Sequence, residues 1–144
     1  MSYDRKYLLW ALSYAAAGMA LGIYMAASGN HGELVSHAHI LLVGFVVSFI
    51  YAVIHRLWLH APSRALATTQ FVLHQAGAIG MSVGLSLLYG GLLPEARLEL
   101  VLRPSVIAVL LGALLMLVMV LRTQAVPAGH LALEGDRPRS VEAA

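Results

Sequence analysis

Residues Glu33 to Leu59 read ELVSHAHILLVGFVVSFIYAVIHRLWL, and this stretch decides the fold. It is long enough for a helix that crosses a hydrocarbon layer about 30 Å thick, which takes roughly 20 apolar residues. Yet it carries His37, His39 and His55 inside that length. Ionisable side chains in a membrane span are expensive and point to a partner or a function.

Three more stretches of the same kind lie around it. One runs from about Lys6 to Ala27, one from about Ala65 to Tyr89 after the turn at Pro62 and Ser63, and one from about Leu102 to Leu121. Arg5 and Lys6 resemble the charged start of a secretory signal, but the apolar run behind them is too long for a cleaved one and reads as a retained helix. Of the 144 residues, 60% are hydrophobic and 11% charged, a balance outside the soluble range. The expected fold is therefore all-α, an integral membrane four-helix bundle. Residues 1–122 form the transmembrane domain and 123–144, with Pro127, Gly129, Gly135 and Pro138, a mobile tail.

Arg5, Lys6, Arg56, Arg64, Arg122, Arg137 and Arg139 fall on one side of the membrane, against Arg97 and Arg103 on the other. Cytoplasmic loops hold the Lys and Arg excess, so both termini are expected in the cytoplasm and the protein in the cell inner (cytoplasmic) membrane. The loops Ser28 to Gly32 and Gly90 to Val101 would then face outward. A net charge of +2 distributed in this way speaks for orientation and against nucleic-acid binding. With no cysteine, thiolate metal sites, iron-sulfur clusters and covalent haem attachment are excluded.

Seven histidines remain as candidate ligands. His31, His60 and His130 fall in a loop, a turn and the tail, where an exposed role suffices. His37, His39, His55 and His74 fall within spans. On an ideal helix His37 and His55 are five turns apart and share a face with Gly44, Ser48 and Tyr51, while His39 points the other way. Such a stripe is either a packing seam or a place where a flat cofactor approaches the backbone. The third span carries Gln70, His74, Gly77, Met81 and Gly84 along one side, with Gln75, Ser82, Ser86 and Tyr89 beside it. Gly77, a turn from His74, packs a neighbouring helix or leaves room for a porphyrin. In an antiparallel hairpin His74 comes level with Ser48, on the order of 10 to 14 Å in depth from His39 or His55. That is too far for one small ion. A second histidine from another copy of the chain could complete a site.

The segment Ser36-His37-Ala38-His39-Ile40-Leu41-Leu42-Val43-Gly44-Phe45, continued through Ile50-Tyr51-Ala52-Val53 to Arg56-Leu57-Trp58, resembles the His-x-His helix of small membrane proteins related to haem-copper oxidase subunit I. Phe71-Val72-Leu73-His74-Gln75-Ala76-Gly77, followed by Gly84-Leu85, is similar to their next helix. The resemblance implies non-covalent haem b, with His74 and either His37 or His39 as axial ligands. Gly44, Ser48 and Gly77 would then give the porphyrin room, and Arg97, Arg103, Arg56 or Arg64 could pair with its propionates. It implies electron transfer or binding of a diatomic gas, with a quinone or another respiratory-chain redox partner. The chain departs from a catalytic subunit in having only four spans and no copper triad, so oxygen reduction coupled to proton pumping is not expected.

Two other readings use the same residues. His31, Glu33, His37 and His39 lie close enough in sequence to suggest a copper or zinc site in a metal-binding or transport protein. Alternatively, the histidines are interhelical hydrogen-bond partners in a non-catalytic assembly subunit of a respiratory complex. Small-residue faces on more than one span favour a homo-oligomer surrounded by membrane lipid.

Overall fold

A computed structural model describes residues 1–59 and 62–123. Among them the chain forms four long helices: α1 (Tyr3–Ser28), α2 (Leu34–Leu57), α3 (Arg64–Tyr89) and α4 (Glu95–Arg122). Each is long and apolar enough to cross a membrane. Their outer surfaces agree: Leu12, Met19, Ile23, Val72, Val83, Leu110 and Leu114 are all exposed. Apolar surface on that scale suits lipid and not water. The expected tail beyond Thr123, with His130, Arg137 and Arg139, lies outside the described residues, as does His60.

α1 packs along α2, α3 packs along α4, and the contacts of α2 with α3 join the two pairs. In α1 the buried residues are Tyr7, Ala11, Tyr14, Gly18 and Met25, a seam with spacings of four and three over its first two heptads. α1 ends at Gly29, whose φ of 67° is the left-handed conformation that glycine adopts without strain. Close approach of α3 to α4 depends on Gly77. A Cβ there would sit 2.7 Å from the Ser105 carbonyl oxygen and 2.9 Å from the Val109 backbone nitrogen.

Two expectations need correction. The loop expected from Gly90 to Val101 is shorter, because α4 begins at Glu95 behind Pro94. Glu95, Arg97, Glu99 and Arg103 lower the local hydropathy without opposing a helix. Glu95 stands in the positively polarised first turn, and Glu99 pairs with Arg103 at 2.8 Å one turn on. Arg97 and Arg103 are thus helical. Pro104 lies within α4.

The second correction concerns α2, which is not a uniform α-helix. Residues Ile40–Val47 are π-helical, between α-helical Leu34–His39 and Ser48–Leu57. Each residue of a π-helix advances less far around the axis, so the buried line shifts phase across this segment. It runs through Ser36, Ile40, Gly44, Ser48, Tyr51 and His55. His37, expected on that line, is only half-buried.

Candidate functional site

The bundle interior holds an unusual amount of hydrogen-bonding chemistry for four apolar helices. Ser36, Ser48, Gln70 and His74 are fully buried, and Gln75 is nearly so. In a membrane such groups must find partners within the protein. The hairpin of α2 and α3 supplies the central contact, since Ser48 Oγ lies 3.1 Å from His74 Nε2. His74 therefore stands at the depth expected from the hairpin. Gln75 Nε2 donates to the same hydroxyl at 3.2 Å, and the Tyr14 hydroxyl donates to Gln75 Oε1 at 3.1 Å. One chain of polar groups thus ties α1, α2 and α3 together.

A second chain runs beside it. The Tyr7 hydroxyl donates to Gln70 Oε1, and Gln70 Nε2 donates to the Gly112 carbonyl of α4 at 3.3 Å. Gly112 lets α4 come close here, since a Cβ would stand 3.2 Å from both the backbone nitrogen and the Cβ of His74. Aromatic rings fill the space between the two chains. Tyr51 meets the His74 ring edge-on at 4.9 Å between centroids, and Tyr7 stacks on His55 at 5.6 Å. The Nδ1 of His74 and the Nε2 of His55 are buried without a hydrogen-bond partner among the described residues.

His37 and His39 are placed differently. His37 Nδ1 lies 2.9 Å from the Gly18 carbonyl oxygen of α1, and its ring lies against Gly22, where a Cβ would be 3.0 Å from Cε1. His39 Nδ1 lies 2.8 Å from the Val35 carbonyl oxygen of its own helix. A carbonyl only accepts, so Nδ1 carries the proton in both rings, and in the neutral imidazole Nε2 presents a lone pair. Both side chains are half-buried, just before the π-helical segment. An imidazole fixed through Nδ1–H with Nε2 free has the arrangement found in metal-ligating histidines.

The residues expected to share one site are therefore divided. His74 and Ser48 come together, but His37 and His39 do not join them. Among the described residues no group of three or more His, Cys, Asp or Glu side chains could hold a metal ion, and His31, Glu33, His37 and His39 do not assemble as one. The space expected for a porphyrin is taken by protein. The Tyr14 ring lies 2.6 Å from where a Gly44 Cβ would be, Gly77 is filled by Ser105 and Val109 of α4, and Ser48 is engaged by His74 and Gln75. The surroundings of His74 thus do not fit haem between the helices of one chain. His37 and His39 fit as donors at the bundle surface.

Tyr7, Tyr14 and Gly22 are the residues that sequence reasoning passed over. Their signal was present in the Tyr7, Ala11, Tyr14, Gly18 spacing of α1, which puts two hydroxyls on the same seam as small residues. No family model matches the chain, and neither a curated protein nor a solved structure matches it.

Proposed function

We propose that this multi-pass membrane protein is a b-type haem protein in which His37 or His39 supplies an axial ligand through Nε2. The observation that carries this reading is the pair of Nδ1 contacts to the carbonyls of Gly18 and Val35, which leave both Nε2 lone pairs without a hydrogen-bond partner among the described residues. The second ligand comes from the corresponding histidine of another copy, because His74 is fully buried inside its own chain with Nε2 against Ser48. Bound haem would supply one-electron transfer or a site for a diatomic gas, with a quinone or another respiratory component as redox partner. The protein's own part is to fix the imidazole orientation and hold the site in a low dielectric.

The test is an absorption spectrum of the full chain, purified in mild detergent with haem supplied. Oxidised and reduced forms should differ in the visible bands, and His37→Ala or His39→Ala should remove the signal while His74→Ala keeps it. A featureless visible region in correctly assembled wild-type protein would sink the proposal.

A second reading is favoured by the hydrogen bonds that join Tyr14, Gln75, Ser48 and His74 across α1, α2 and α3. As a non-catalytic assembly subunit, the protein would use His74 purely to join α2 to α3 and would co-purify with a respiratory complex without haem of its own.

We further infer that both termini lie in the cytoplasm and that the membrane is the inner one. The start of α1, the end of α2 and the start of α3 meet at one end of the bundle, where Tyr3 contacts Thr68 and Arg56 approaches Asp4 at 3.9 Å. Arg5, Lys6, Arg56 and Arg64 thereby gather on one side, as the positive-inside rule requires of a cytoplasmic face. An alkaline phosphatase fused after Ala144 should be inactive and a fluorescent protein fused there bright; the opposite pattern would invert the orientation.

A further inference from the structure

At the end of the bundle where α1 begins and α2 finishes, an open groove of about 610 Å³ runs between these two helices. Its body is apolar, formed by Leu8 of α1 with Phe49 and Val53 of α2, and both Leu8 and Phe49 are well exposed. Its mouth is charged, formed by Arg5, Arg56 and Asp4. Arg5 is exposed, and the Arg56 side chain is 78% exposed, so both guanidinium groups can reach a ligand at the surface. Asp4 touches Arg56 only at 3.9 Å and leaves the mouth with a charge of +1, from two arginines against one aspartate.

An apolar channel on a lipid-facing surface, capped by two guanidinium groups at the expected water boundary, matches one kind of molecule. We propose that the groove binds an anionic phospholipid, with an acyl chain laid along Leu8, Phe49 and Val53 and its phosphate paired with Arg5 and Arg56. Guanidinium presents paired donors that suit phosphate oxygens. A zwitterionic lipid offers the same chains and phosphate but adds a cation that the two arginines repel. Free phosphate would meet the arginines without the apolar contact, and next to Asp4 it has little to hold it. This assignment does not depend on haem binding.

The test uses the full chain in mild detergent, incubated with phosphatidylglycerol or phosphatidylcholine of identical acyl chains, with lipid retention read by native mass spectrometry. Phosphatidylglycerol should be retained preferentially, by roughly fivefold for each guanidinium engaged. The double variant Arg5→Gln/Arg56→Gln should lose that preference. Val53→Trp, which fills the groove, should lower retention of both lipids, and Arg122→Gln on another helix should change neither. Glycerol phosphate, a headgroup without chains, should fail to compete at the same concentration. Equal retention of the two lipids by wild type, an undiminished preference in the double variant, or full competition by glycerol phosphate would each overturn the proposal. The Arg122→Gln protein also reports whether loss of any interfacial charge acts only through folding.

Discussion

Two histidine-bearing regions of the same hairpin are built on opposite plans. Around His74 every neighbour is committed: Ser48 and Gln75 by hydrogen bonds, Tyr51 by edge contact, Gly112 by close backbone approach. Around His37 and His39 each ring is anchored by one nitrogen to a backbone carbonyl and is only half-buried, whereas the one nitrogen of His74 without a hydrogen-bond partner among the described residues, Nδ1, is sealed inside the bundle. The difference teaches that burial and ligand capacity are separate properties of a membrane histidine. A fully buried imidazole can be spent on holding helices together, while a half-buried one on an irregular helix keeps its chemistry available.

The largest expected effect breaks the sealed region. Gly77→Val places new atoms against the Ser105 carbonyl and the Val109 backbone, neither of which is a flexible side chain. Overpacking of that kind destabilises by about 3 kcal/mol. The protein should lose its monodisperse elution and its cooperative thermal transition in detergent, with or without haem. If Gly77 instead left room for a cofactor, the haem-free variant would be as stable as haem-free wild type.

His74→Ala comes next. It removes the Ser48 contact and opens a cavity under Tyr51, which together should destabilise by about 2 kcal/mol. Thermal unfolding of the haem-free protein measures this loss directly. Gln75→Leu should cost less, about 1 kcal/mol, because it cuts the links to Tyr14 and Ser48 but fills its own space. Combined with Tyr14→Phe, the loss should be smaller than the sum of the two single losses, since both act on one hydrogen bond. Strict additivity in that double-mutant cycle would mean that the Tyr14–Gln75 contact carries no stability.

Much of this arrangement is legible in the chain itself. Four long apolar stretches, and the level of His74 opposite Ser48, follow from residue counts and rise per residue. The start of α4 was hidden because Glu95, Arg97 and Glu99 depress hydropathy, although charge pairs one turn apart support a helix as well as aliphatic residues do. The phase of α2 was hidden for a different reason. Its aliphatic segment Ile40–Val47 has no polar residue to mark the periodicity, so nothing in its composition separates a π-helical from an α-helical path. The face of every residue beyond that segment, His37 included, depends on which path is taken.

The smallest effects separate the two surface histidines from each other. His37 Nδ1 reaches across to Gly18 of α1, so His37→Ala loses an interhelical bond and the ring seated on Gly22. Such bonds are worth on average about 0.6 kcal/mol in a membrane protein, and the melting temperature should fall slightly. His39 Nδ1 bonds only to Val35, four residues back in its own helix, where the carbonyl retains a backbone amide as its ordinary partner. His39→Ala should therefore leave the melting temperature of the haem-free protein unchanged. The fold gives His39 no other task among the described residues, so its ring is the cleaner probe of ligation. A haem spectrum lost in His39→Ala at unaltered stability would assign the axial ligand to His39, and a spectrum kept there but lost in His37→Ala would assign it to the ring that α1 holds in place.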